Sequence, residues 1–319
     1  MALLPARGWR WLASAAGFSA CLWFAAEATA CALSVSDITS TDWVGGRGRG
    51  YEVYDAHRRV QLVTFRLRSN DSDCPFFLTV VPASTSGDGN GALLGPGATL
   101  RYELYKDASG SGRLRAAGSA TENEVFTGIA LGGRSGLALQ FVVVLPPEQL
   151  VPPGQYSDEI EFTVYEGSLG SGVLRDRRRV RLTAMVPSVA AISFAEGAAF
   201  DANQNTYALN FGNLRAGDRR VVQLKVRGNG GYRLRLGSHN NGRLRHVDAG
   251  DDSAVAYALT VDGVPVDLAR RPDVEVAAEA DLVPAAGRTH LLEFNVGEIG
   301  NATAGVYRDV INVTVLGLR

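Results

Sequence analysis

Gly305-Val306-Tyr307-Arg308-Asp309-Val310-Ile311-Asn312-Val313-Thr314-Val315 reads as a turn feeding a β-strand. Ile311, Val313 and Val315 alternate with Asn312 and Thr314, the period of two that sends successive side chains to opposite faces of a sheet. An earlier stretch repeats it: Gly154-Gln155-Tyr156-Ser157-Asp158-Glu159-Ile160-Glu161-Phe162-Thr163-Val164. Gly, Tyr, Asp, Ile, Thr and Val recur in register, six identities in eleven positions at an offset of 151. Two halves that close on the same strand point to two copies of one β unit. Other pairs keep the same order. Arg68 and Asn70 match Arg227 and Asn229; Tyr102, Leu104 and Asp107 match Tyr257, Leu259 and Asp262; Phe141 matches Phe294. The offset drifts from 159 to 151 along the chain, as expected when loops change length between an ordered set of strands.

The rest of the chain reads the same way. In the first half, strands are expected over residues 32–38 with Leu33 and Val35 inward, then over 60–68, 74–81, 100–105 and 137–145. The glycines of residues 167–172 form a hairpin tip between two further strands. In the second half Ile192 and Phe194 begin a new first strand, followed by strands over 207–212, 221–226, 232–236, 257–261 and 290–296. Asn241-Gly242 is the strongest short hairpin signal in the chain. Short strands every 8 to 12 residues, with no helical period sustained over ten or more, predict an all-β chain of two tandem β-sandwiches.

A length of 319 residues suits two domains. The first thirty residues carry Arg7 and Arg10, a mostly apolar run, then the small residues Ala28-Thr29-Ala30, which together predict a signal peptide cleaved before Cys31. The expected division is therefore 1–30 signal peptide, 31–185 first domain and 186–319 second domain. After cleavage Cys31 and Cys74 remain, an even pair in an oxidising compartment, and a disulfide between them is expected. A net charge of −1 gives no electrostatic basis for binding nucleic acid or an anionic membrane.

No enzyme signature emerges. The chain has no His-Glu-x-x-His run, no Gly-x-Ser-x-Gly elbow and no Walker loop. Its two mature cysteines and scattered histidines match no metal-ligand spacing, so neither a cofactor nor a metal is expected. The acidic pairs Asp158-Glu159 and Asp251-Asp252 read as strand-face and turn residues. The glycines of residues 45–50 lack the leading strand and following helix of a dinucleotide fingerprint.

The stretches 209–217, 226–234, 241–244 and 305–315 resemble the spore coat U / Csu-type pilin domain of the archaic chaperone–usher pili. The likeness covers residues 186–319 well and reaches the first half mainly through 154–164. Two such units in one exported chain resemble the two-domain tip adhesin of those pili. The resemblance implies immunoglobulin-like sandwiches, the C-terminal one incomplete and lacking its last strand, which a neighbouring subunit supplies by strand addition. It implies a donor-strand groove bordered by Ile192, Phe194, Ile311, Val313 and Val315. The implied partners are a periplasmic pilus chaperone, an outer-membrane usher, a neighbouring pilin subunit and an abiotic or host surface. Residues ahead of the first strand are expected to be too few to donate a strand, which fits the distal end of a fibre and a place at the cell surface after export through the periplasm. Attachment and biofilm formation are the expected roles. The alternatives are a structural minor pilin or spore-coat-like protein, and a secreted carbohydrate-binding sandwich.

In such adhesins apolar loops touch surfaces. The expected surface-binding residues are Trp43 and Val44, Leu93 and Leu94, and Phe126 with Ile129 and Leu131.

Overall fold

The computed structural model describes residues 31–39, 50–70, 72–84, 90–133, 135–194, 197, 199–269, 274–279 and 282–318. The expected signal peptide, Trp43, Val44 and residues 45–49 of the glycine-rich loop lie outside the described residues.

The chain is all-β and its ladders are antiparallel. The first half contributes β1 (Leu33–Ser36), β2 (Arg59–Ser69), β3 (Cys74–Pro82), β4 (Gly91–Leu94) and β5 (Thr99–Tyr105). After a 3₁₀ turn at Glu122–Glu124 come β6 (Phe126–Ala130), β7 (Leu137–Leu145), β8 (Gly154–Glu166) and β9 (Val173–Val186). The second half contributes β10 (Ala190–Ser193), β11 (Arg219–Gly228), β12 (Tyr232–Ser238), β13 (Arg243–His246) and β14 (Gly250–Val261). It ends with β15 (Val264–Val266), β16 (Val274–Glu279), β17 (Arg288–Val296), β18 (Tyr307–Arg308) and β19 (Ile311–Gly317).

In the first half the strands run in the order β1-β2-β7-β5-β4-β8-β3-β6, with β9 on the other side of β8. Short β4 carries the ladder from one layer to the other. It pairs with β5 along its length and with β8 only at Leu94 and Ser157. The layers meet through aromatic rings. Phe65 of β2 lies 5.2 Å from Phe162 of β8 and 5.8 Å from Phe126 of β6, and Phe141 of β7 lies 5.8 Å from Phe162. These edge-on contacts add to the burial that holds the two sheets together. The Cys31–Cys74 disulfide, Cα atoms 6.1 Å apart, ties the entry of β1 to the start of β3.

The second half has one ladder in the order β10-β11-β17-β14-β13-β18, with β15 on β14, and another in the order β16-β12-β19. Leu224, Val226, Leu259 and Leu292 from the first ladder share a core with Leu234 and Leu236 of the second. The correspondence between halves extends to hydrogen bonds. The Tyr102 hydroxyl donates to Asp158 Oδ2 at 2.8 Å, and its counterpart Tyr257 donates to Asp309 Oδ2 at 2.6 Å.

Several expectations need correction. Residues 207–212 alternate in polarity but form no strand. Within this segment Asn210 Oδ1 accepts from Gly212 N–H, a local turn in place of a ladder bond. Phe194 itself lies one residue past the end of β10. Asn241 and Gly242 do turn the chain, both with positive φ, but they join β12 to β13, which belong to different ladders. The closing repeat is one strand in β8 but breaks at Asp309 and Val310 between β18 and β19. Strands β4, β6, β13, β15 and β16 had no clear sequence signal.

Candidate functional site

The residues Ile311, Val313 and Val315 line one face of β19, and Ile192 and Phe194 belong to the edge formed by β10 and the residue after it. Strand β19 pairs with β12 from Ser238↔Ile311 to Tyr232↔Gly317. Strand β10 pairs with β11 from Ala190↔Gly228 to Ser193↔Lys225. Among the described residues, no strand pairs with the other edge of either. The two open edges approach each other at one end, where a Cβ built on Gly317 would lie 3.7 Å from Ala190 Cβ. All five apolar side chains pack against the second core yet remain only half-buried.

The first half shows what a filled version of this place looks like. Ile160, Phe162 and Val164 of β8 align with Ile311, Val313 and Val315 at the offset of 151, and all three are fully buried. Val35 of β1 pairs with Leu67 as Ile192 pairs with Val226, and Val35 is buried too. The difference is β9. It pairs with the whole of β8, turning Leu182, Ala184 and Val186 into the core. It also reaches β1 through side chains. Val35 N–H donates to Asp176 Oδ2 at 2.9 Å, and Arg178 Nη1 donates to Val35 O at 2.9 Å. The second half holds no counterpart of β9 among its described strands. The alternation of Val180, Leu182, Ala184 and Val186 was visible in the sequence, but its role as the cover of β8 was not.

The start of β19 is anchored by Asp309. Its Oδ2 accepts from Tyr257 and from Ser238 Oγ at 2.6 Å, while Oδ1 accepts from Asn240 N–H at 3.0 Å and Val310 N–H at 2.7 Å. Burial, reinforced by this carboxylate, pushes the Tyr257 phenol well above its ordinary range. The same causes act on Tyr102 beside Asp158. The break in the strand at Asp309 is thus a hydrogen-bonded corner, and the apolar row begins immediately after it.

The expected surface residues divide. Leu93 is fully buried in β4 and Phe126 is buried at the start of β6, so neither is a surface contact. Both expectations are corrected by the same cause, the packing of these side chains into the aromatic core. Leu94, Ile129 and Leu131 are exposed. Ile129 (60%) and Leu131 (66%) lie at the pole where β8 turns into β9. Ile129 is opposite Pro75, Phe77 opposite Tyr165, and Tyr165 opposite the exposed Leu174, which places all of them on one face of the sheet, with Phe77 itself buried there. The Phe77 and Tyr165 rings stack at 4.4 Å in this row. Twelve residue steps of β8 separate this pole from the end that leads to β10, roughly 40 Å.

No protein-family model and no curated protein matches the chain. Among solved structures, it is similar to a chain of the chaperone–tip subunit pre-assembly complex of the archaic chaperone–usher Csu pili of Acinetobacter baumannii. The identity is 15% and the TM-score 0.40, over 79% of this chain and 90% of that one. It is similar to the CupB6 tip adhesin from Pseudomonas aeruginosa at 10% identity and a TM-score of 0.39, over 89% and 94% of the two chains. It is also similar to CfaE, the adhesive subunit of CFA/I fimbria of enterotoxigenic Escherichia coli. There the identity is 13% and the TM-score 0.31, over 77% and 88%.

Proposed function

We propose that the chain is a non-enzymatic subunit of an archaic chaperone–usher pilus, exported behind a signal peptide over residues 1–30. In this reading residues 31–185 form a surface-attaching domain at the fibre tip, and residues 186–319 form a pilin domain completed by a strand from the neighbouring subunit. A periplasmic chaperone would cover the open edges before assembly at an outer-membrane usher.

The observation that carries the reading is the contrast between Ile160 and Ile311. They hold the same place in the repeat, but β9 covers one and no described strand covers the other. An apolar row left beside two unpaired strand edges is a site for strand addition. Finishing the burial of Ile192, Ile311, Val313 and Val315 would contribute about 1 kcal/mol for each, to which the new ladder hydrogen bonds add.

Titration of the chain with a synthetic peptide of alternating apolar residues, followed by calorimetry, tests this. Saturable binding with a negative heat-capacity change is expected, lost when Ile311→Asp and Val313→Asp are combined. Absence of binding by the unsubstituted chain would overturn the reading. The attachment role rests on the exposed row around Ile129 and Leu131, at the pole far from the open edges, where contact with an abiotic or host surface would support biofilm formation.

A further inference from the structure

The groove between β10 and β19 borders the junction between the two halves, and one arginine belongs to both. Arg227 of β11 is paired with Ala191 of β10. Its guanidinium lies between two rings, 4.3 Å from the centre of Tyr54 in the first half and 4.1 Å from the centre of Phe200 in the second. Arg227 Nε and Tyr54 Oη are buried without a hydrogen-bond partner among the described residues, and both rings lie within cation–π distance of the guanidinium.

The segment that carries Phe200 is fastened to the groove edge. Asp201 N–H donates to Ser193 Oγ at 3.2 Å, and Phe194 N–H donates to Gln204 O at 2.7 Å. Lys225, the β11 partner of Ser193, is buried and donates from Nζ to Gly197 O and to Ala199 O. The connection between halves is held by the residue that follows β11. Asn229, fully buried, donates from Nδ2 to Pro187 O at 2.9 Å and accepts from Val189 N–H at 2.8 Å. Hydrogen bonds at Ser193, Phe194 and Lys225 thus tie the edge of β10 to the residues next to Phe200, and the two ring contacts of Arg227 join Phe200 to Tyr54.

We propose that the groove and the junction act as one conformational device: occupation of the groove holds β10 and the Phe200 segment in place and so locks the first half against the second through Arg227. The device rests on the reading of the groove as a strand acceptor. A ligand that binds only the ordered edge shifts the population of every contact built on that edge, and the shift is reciprocal. Loosening of the Arg227 clamp would in turn weaken strand binding.

Amide hydrogen exchange on residues 31–319 tests this, with and without an alternating apolar strand fused after Arg319. Exchange in β10 and β19 reports the groove, and exchange at residues 51–54 reports the junction. The fused strand is expected to slow both, the junction by about tenfold. In Arg227→Ala, and separately in Tyr54→Ala, the junction is expected no longer to respond, and the fused strand is expected to protect the groove still but less than in the unsubstituted chain. Protection confined to the groove in the unsubstituted chain would overturn the coupling alone. No protection at the groove would overturn the strand-acceptor reading and the coupling with it. Tyr54→Ala lies outside the β10–β11 ladder, so it serves if Arg227→Ala fails to fold.

Discussion

The Tyr257 hydroxyl donates to Asp309 Oδ2 at 2.6 Å, and the same bond joins Tyr102 to Asp158 in the other copy. In each half a serine joins the pair, Ser84 in the first and Ser238 in the second. Three groups far apart in sequence meet twice in one arrangement, which is stronger support for duplication than the strand identities alone. Because the carboxylate would lose a donor in a half-buried place, Tyr257→Phe is expected to destabilise the second half by about 1–3 kcal/mol. Denaturant unfolding should show a lower midpoint with an unchanged slope. An unchanged midpoint would remove the pair from the account of stability.

The same bonds set an alkaline limit. Burial and the neighbouring carboxylates raise both phenols above the ordinary value of about 10. The folded chain then holds these protons more tightly than the unfolded chain does. Their contribution is fully present below pH about 10 and is lost as pH rises toward the folded-state values. Ultraviolet titration should show these two tyrosines ionising only as circular dichroism reports unfolding. Ionisation in the folded chain near the ordinary value would contradict the buried pairing.

The Cys31–Cys74 disulfide closes a loop with a sequence separation of 43. Removing it with Cys31→Ser and Cys74→Ser together is expected to cost the first half about 4 kcal/mol on the chain-entropy estimate. The second-half transition should not move, since both cysteines pack against the first core.

Two substitutions separate the surface row from the core. Ile129→Ser and Leu131→Ser are expected to change stability by less than about 0.5 kcal/mol and to reduce attachment to an apolar surface. Leu93→Ala and Phe126→Ala should instead cost about 2–5 kcal/mol. Attachment that survives loss of both Ile129 and Leu131 would place the contact elsewhere.

These two pairs also show where sequence reading reached and where it stopped. Alternation was enough to expose the all-β class and the apolar row of β19, and the even cysteine pair left after the expected cleavage was enough for the disulfide. Sequence reading misplaced Leu93, because the glycines around it look like turn punctuation. In fact Gly91 lies against the Tyr102 ring and Gly95 against the Tyr156 ring, places where a Cβ would collide with the aromatic side chain. Residues 207–212 carry a strand's alternation without a strand's partner, and no local pattern reveals whether an edge is available. The same holds for Asn241-Gly242, whose turn geometry was legible but whose flanking strands were drawn into different sheets. Sequence specifies the side chains of an edge; only the arrangement of neighbours shows that β9 covers β8 while no described strand covers β19.

The central claim is that the second half has a place for one more strand, and thermal unfolding tests it most directly. The chain from Cys31 would be compared with two fusions after Arg319, one carrying an alternating apolar strand and one with the apolar positions of that strand changed to Ser. The account predicts that the apolar fusion raises the second-half transition by several degrees, about 4–8 °C per kcal/mol gained, while the Ser fusion does not. Equal melting of all three chains would mean that the edges of β10 and β19 need no partner, and would contradict the account.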